Sequence, residues 1–173
     1  IYCTASANGG NGIELAEAEN TLIEYCLAKS NGNNGVECRR PSGITELVSN
    51  DMRLNIENGV NLSGEYPVRL VSNCINDNMK NGCVVANPLS EIRGNTVSGN
   101  FETGIFISGR GCTVTRNRIS EQGGTGLYIL DGCNAAGNNI EDNKAYGLYV
   151  AGTNNIIANN DLSSNKEADI LRI

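Results

Sequence analysis

Ile92-Arg93-Gly94-Asn95-Thr96-Val97-Ser98-Gly99-Asn100, followed by Gly104-Ile105-Phe106-Ile107, decides the fold. The first stretch reads apolar–x–x–Asn–x–apolar–x–x–Asn. The second is a glycine followed by apolar–x–apolar. Both recur along the chain. The glycine returns as Gly12, Gly35, Gly59, Gly82, Gly104, Gly126 and Gly147, at intervals of 23, 24, 23, 22, 22 and 21 residues. The Asn half recurs from Leu47 (Asn50, Met52, Asn55), Leu70 (Asn73, Ile75, Asn78) and Val114 (Asn117, Ile119, Gln122). It returns again from Ala135 (Asn138, Ile140, Asn143) and Ile157 (Asn160, Leu162, Asn165). An earlier copy from Ile23 to Asn31 has Cys26 in the first Asn slot. A partial copy at the start has Cys3 there, then Ala5 and Asn8.

A fixed period of this size means stacked repeats rather than one globular core. A leucine-rich repeat would put leucine in the first Asn slot and add a helical arc. No stretch here keeps a 3.6-residue rhythm, and no six-residue rhythm marks a left-handed β-helix. The remaining solution is all-β: a parallel β-helix solenoid of about seven coils, 21–24 residues each. Short strands alternate inward and outward side chains. One apolar column runs Ile13, Val36, Val60, Cys83, Ile105, Leu127, Leu148. Another runs Ile23, Leu47, Leu70, Ile92, Val114, Ala135, Ile157. Each fully buried aliphatic contributes roughly 1.5–3 kcal/mol. The corners call for residues that accept left-handed backbone, which would account for 21 Gly and 27 Asn. The Asn columns are expected to stack their amides along the axis.

With this pattern the chain resembles the right-handed parallel β-helix repeat proteins of the pectate-lyase-like superfamily, over nearly all of residues 1–173. That resemblance specifies a fold and leaves the activity open. Ile1-Tyr2-Cys3 enters in mid-coil, and Ile170-Leu171-Arg172-Ile173 begins a strand and stops. Residues 1–173 therefore read as one domain that is a segment of a longer rod. Flanking coils, or a homo-oligomer such as a trimer, would cover its edges.

Net charge is -6, with the Lys and Arg residues scattered, which argues against nucleic acid and anionic membrane surfaces. No apolar run approaches the roughly 20 residues of a membrane span. There is no His and no CxxC, so neither a metal site nor a cofactor is implied. Of the seven Cys, Cys38, Cys83, Cys112 and Cys133 fall on inward positions, and Cys74 faces out. Cys3 and Cys26 share a corner column. Buried thiols are one reading of these residues. A Cys3–Cys26 or Cys112–Cys133 disulfide is the sharper one, and the compartment stays open, with the cell exterior or a virion surface favoured.

Function on a solenoid lies on its outer faces. The strand after each glycine has a first outward column of Glu14, Glu37, Asn61, Val84, Phe106, Tyr128 and Tyr149. The second column is Ala16, Arg39, Ser63, Ala86, Ser108, Leu130 and Ala151. The early half is charged and the late half aromatic, holding three of the chain's eight aromatic residues. Asn61, Phe106, Tyr128 and Tyr149 are candidate polysaccharide contacts. The same stripe also reads as a packing interface or as plain sheet stabilisation.

In alginate C5-epimerases and related lyases the equivalent strand carries Gly-Ile-Asp-Pro-His-Asp. Gly35-Val36-Glu37-Cys38-Arg39-Arg40 resembles a distant variant, with Glu37 in the first acidic slot and Arg39 in the His slot. The resemblance implies proton abstraction beside a uronate carboxylate, Glu37 acting as base and Arg39 steadying the enolate. Here Cys38 stands for Pro, and the tyrosines lie about four coils away, roughly 20 Å by strand spacing. A hydrolase would instead use paired carboxylates, and Glu14 and Glu37 are one coil apart. The alternative to a polysaccharide-binding or polysaccharide-processing domain is a non-catalytic structural or adhesion module. Glu46, Arg69 and Glu91 form a surface ion ladder, while Arg93, Arg116 and Arg118 read as solvated.

Overall fold

The computed structural model describes residues 2–173; Ile1, and with it the first step of the mid-coil entry, lies outside the described residues. It contains 23 short strands and, among the described residues, no helix. The strands form three parallel sheets of eight, eight and seven members, each linking strands one coil apart in sequence. One sheet holds strands between the two Asn slots, such as Cys74–Asn76 and Thr96–Ser98. A second holds the strands after the repeat glycines, such as Val60–Ser63 and Ile105–Ile107. The third holds strands leading into the first Asn slot, such as Glu91–Arg93. The result is a three-sided parallel β-helix. It has about eight turns, close to the number read from the repeat, and the partial copy also folds: Cys3–Ser6 pairs in register with Cys26–Lys29.

Each strand is three to five residues long because only two or three alternating positions fit one side of the coil. Val36, Val60, Cys83, Ile105, Leu127 and Leu148 pair Cα to Cα in one column, and all are shut off from solvent. Leu47, Leu70, Ile92, Val114 and Ala135 fill the second side. Met52, Ile75, Val97, Ile119 and Ile140 fill the third. The core is thus a continuous apolar rod, as the repeat predicts.

The repeat glycines are set by space. A Cβ on Gly82 would lie 2.5 Å from the Gly104 carbonyl oxygen and 2.9 Å from Asn100 Nδ2. On Gly35 it would lie 2.6 Å from the Gly59 carbonyl oxygen and 2.8 Å from Asn55 Nδ2. The corner packs directly onto the next coil, and nothing but hydrogen fits.

The asparagines correct one expectation. Of the asparagines among the described residues, only Asn20, Asn154 and Asn159 have positive φ. The left-handed residue is the one before each ladder position, as with Ser72, Asp77, Gly94 and Gly99, at φ 54–65°. The asparagine is selected for its side chain. Asn95 shows the pattern: its Oδ1 accepts from Asn73 N at 2.9 Å and Asn73 Nδ2 at 3.0 Å. Its Nδ2 donates to the Leu70 carbonyl at 2.8 Å and to Asn117 Oδ1 at 2.9 Å. The second ladder repeats this through Asn31, Asn55, Asn78, Asn100 and Gln122.

The ion ladder forms as expected, with Arg69 3.6 Å from Glu46 and 3.7 Å from Glu91. Two arginines read as solvated have partners instead. Arg93 meets Glu91 at 3.0 Å and Arg118 meets Glu141 at 2.7 Å, because outward residues one coil or two positions apart come within reach. Among the described residues no disulfide is closed, neither Cys3–Cys26 nor Cys112–Cys133: Cys26, Cys38, Cys83, Cys112 and Cys133 are buried, Cys74 is half-exposed and Cys3 is exposed.

Candidate functional site

The strands after the repeat glycines hold their first outward column in straight register. It runs Glu14, Glu37, Asn61, Val84, Phe106, Tyr128, Tyr149 and Leu171. Parallel pairing without a slip keeps these side chains on one face, about 4.8 Å apart.

Glu37 points outward, yet only 6% of its surface is exposed. Asn34 Nδ2 donates to its Oε2 at 2.6 Å, and Asn61 Nδ2 donates to the same oxygen at 3.1 Å. Burial pushes the Glu37 carboxyl pKa up. The two amide bonds oppose the shift, and the nearby Glu57 charge adds to it. Among the described residues no cation pairs with Glu37.

Arg39 is already engaged. Its guanidinium bonds Glu14 Oε1, and Asn11 Nδ2 donates to Glu14 Oε2 at 2.9 Å. Arg40 pairs with Glu17 at 2.7 Å. The three acid–base candidates therefore divide. Glu14 and Arg39 form an ion pair, and Glu37 sits one coil on in a cage of amides.

That cage belongs to a third ladder not expected from the repeat. Asn34 N donates to Asn11 Oδ1, Asn58 N to Asn34 Oδ1, and Asn81 N to Asn58 Oδ1, at 3.0–3.1 Å. Its polarity is reversed, because each backbone donor here looks to the preceding coil. The signal was present as Asn11-x-x-Glu14, Asn34-x-x-Glu37 and Asn58-x-x-Asn61. Beside it, Lys80 pairs with Glu57 at 2.7 Å and Asn81 donates to Glu102 at 3.1 Å.

In the late half the aromatic rings lie on one another. Phe106 and Tyr128 are stacked at 4.7 Å with 16° between planes, and Tyr128 and Tyr149 at 4.8 Å with 12°. The ring faces are therefore used within the stack. Side chains stand upright from a sheet, so ring edges and the Tyr128 and Tyr149 hydroxyls face outward. Tyr146, missed in the sequence, meets Tyr149 edge-on at 5.5 Å. Its hydroxyl bonds Glu167, which raises the phenol pKa.

Arg40, Pro41, Gly64, Glu65 and Tyr66 line a hollow of about 280 Å³ along one flank of the face. A larger hollow of about 370 Å³, lined by Cys3, Ile13, Leu22, Ile23, Glu24 and Cys26, opens on the core at the first turn and not on this face. Among the described residues no group of three His, Cys, Asp or Glu side chains is placed to hold a metal.

A model of the right-handed β-helix region matches residues 1–88 and 86–166. The chain belongs to the right-handed β-helix family. No curated protein matches it in sequence. In structure this β-helix superposes on the periplasmic alginate epimerase AlgG with a TM-score of 0.83 at 16% identity, covering 93% of this chain and 44% of the epimerase. It also superposes on the A-module of the Azotobacter vinelandii mannuronan C-5 epimerase AlgE6, with a TM-score of 0.73 at 15% identity. That match covers 98% of this chain and 56% of the module. At that identity the likeness concerns the fold, and the β-helix spans about half of either neighbour.

Proposed function

We propose that this β-helix is a polysaccharide-binding domain whose post-glycine face receives the polymer. The observation that carries the reading is the unbroken outward column from Glu14 to Tyr149, polar in its early half and aromatic in its late half. An extended glycan presents hydroxyls and apolar ring edges at regular intervals. The half-buried Asn61 amide suits the hydroxyls, and the Tyr128 and Tyr149 phenols can both donate and accept. Because Phe106, Tyr128 and Tyr149 cover each other's faces, the polymer lies across ring edges instead of stacking on rings. The alginate epimerases that share the fold act on a polysaccharide, which supports the substrate class. The cell exterior or a virion surface suits such a domain.

Any proton transfer on this face falls to Glu37, a carboxyl biased toward its neutral form with no cation beside it. Arg39 is held by Glu14, and Tyr128 stands about 20 Å from Glu37 by strand spacing, so neither reaches the same reacting atom. The domain is read as a binder first.

A second reading is favoured by the same ring geometry. A stack whose faces are filled makes a smooth apolar rib suited to a protein partner, which fits a structural or adhesion module. Isothermal titration against a panel of neutral and acidic polysaccharides separates the two. Binding that Tyr128→Ala and Asn61→Ala weaken at least tenfold supports the glycan reading. No binding to any polymer, with a change of oligomer mass in Tyr128→Ala, supports the module. Unsaturation absorbance at 235 nm and reducing-end release, in wild type and Glu37→Gln, test processing.

A further inference from the structure

Two cysteines occupy equivalent positions in adjacent coils. Cys112 follows the turn Ser108-Gly109-Arg110-Gly111, and Cys133 follows Leu130-Asp131-Gly132. The residue before each is a glycine in the left-handed region, Gly111 at φ 69° and Gly132 at φ 67°. The two turns thus leave the corner in the same direction. The next residues, Thr113 and Asn134, are paired Cα to Cα, and Asn134 N donates to the Cys112 carbonyl at 2.8 Å. Neighbouring parallel strands lie about 4.8 Å apart, within the Cα separation of about 4.4–6.8 Å that a disulfide spans. The sulfurs converge: Cys112 Sγ is 3.3 Å and Cys133 Sγ 3.6 Å from one oxygen, the Gly109 carbonyl. Both side chains are shut off from solvent.

We infer that Cys112 and Cys133 are joined by a disulfide when the protein folds in an oxidising compartment, closing the coil of residues 112–133. The bond forms by two exchanges. One thiolate attacks a small disulfide oxidant of the oxidised-glutathione class, giving a mixed disulfide and releasing one thiolate. The second cysteine thiolate displaces the remaining glutathione. In total the two cysteine thiols lose two protons and two electrons, one S–S bond forms, and the oxidant leaves as two thiols. The order of events follows from burial: exchange takes place while the corner is still open, and the closed coil then shields the bond from reductants.

Bridging the pair removes the S–H donors that the Gly109 and Asn87 carbonyls accept. The Asn87 carbonyl, which accepts from Cys112 Sγ at 3.4 Å, also holds a bond from Ser90 Oγ at 2.9 Å. The bridged coil carries Tyr128, and the bridge lies just past the strands of Phe106 and Tyr128. It would fix the spacing between two rings of the stack.

The test is peptide mapping of wild-type protein unfolded in reductant and refolded in a glutathione redox buffer. Free thiols are blocked by alkylation before non-reducing digestion and mass spectrometry. The expected result is a linked peptide pair containing Cys112 and Cys133, absent after reduction. Closing a coil of this length predicts a melting temperature about 6–12 °C above that of the reduced protein. The Cys112→Ala/Cys133→Ala variant should lose that difference. Alkylation of both Cys112 and Cys133 in protein that has refolded under oxidising conditions overturns the inference, whatever the variant does. So does linkage of either cysteine to another partner.

Discussion

Replacing Asn95 by Ala removes one amide and four hydrogen bonds from the middle of a ladder. Asn95 is 1% exposed, and water cannot take its place. Asn117 Oδ1 keeps its bond from Asn95 N at 2.9 Å, and Asn73 Nδ2 keeps the Leu47 carbonyl at 2.8 Å. Asn73 N–H loses its acceptor, and the Leu70 carbonyl loses the amide that bonds it from the next coil. At roughly 1–3 kcal/mol for each buried group left unsatisfied, the substitution costs about 2–6 kcal/mol. A domain of this kind has about 5–15 kcal/mol in all. The matched control is Asn165→Ala. Asn165 makes the same contacts, to Asn143 and to the Ile140 carbonyl, but is half-buried at the last turn. Water can satisfy the groups it leaves, so its loss is set at about 1 kcal/mol. Urea unfolding followed by circular dichroism near 218 nm reads both. Equal losses in the two variants, or a cost below about 1 kcal/mol at Asn95, would refute the claim that buried amide stacking holds the corners.

Other outcomes follow from the same geometry. Gly82→Ala should fail to fold or lose more than about 3 kcal/mol, because its Cβ meets the fixed Gly104 carbonyl. Gly94→Ala should lose only about 1–2 kcal/mol, because its φ is 65° but the nearest atom to a Cβ is 3.6 Å away; thermal melts of the pair check this. Glu37 has a raised folded-state pKa, so its contribution to stability is present below the ordinary carboxyl pKa and is lost as pH rises through the raised value. Glu37→Gln should therefore gain stability relative to wild type as pH rises from 4 to 7. Urea midpoints across that range that do not diverge would sink the buried-carboxyl reading. Tyr128→Ala removes two ring contacts and should cost about 1–3 kcal/mol beyond its buried area, read from the same urea curves.

The fold is legible in the sequence because a solenoid writes its geometry as a period. Gly82, Asn95 and Ile105 each state a local requirement, and the requirement repeats one coil later. The columns read from the repeat are the columns of the sheets, from Ile13 to Leu148 and from Glu14 to Tyr149. The reasons behind the residues were less visible. The amide stacking expected of the Asn columns is present, but the backbone tolerance also expected of Asn is not used, and Ser72 or Asp77 takes the left-handed turn. The site was legible as positions but not as contacts. Nothing in the order Glu14, Glu37, Arg39 says that the arginine turns back to Glu14, since that depends on rotamers across the pleat. The third ladder was hidden because it is interrupted: after Asn81 the slot holds Thr103, so the column lacks the run of copies that exposed the other two. The ring stack was legible as a stripe, but which way the faces turn is a packing outcome that spacing does not encode.

The claim that matters most is that the post-glycine face receives a polysaccharide. Amide chemical shifts of ¹⁵N-labelled protein, followed while glycan oligomers from the bound polymer are titrated in, test it directly. The account predicts saturable shifts concentrated at Glu37, Asn61, Phe106, Tyr128 and Tyr149, with the Glu46–Arg69–Glu91 face still. Shifts centred on that ion-ladder face, or no saturable shift with any oligomer of the panel, would contradict it.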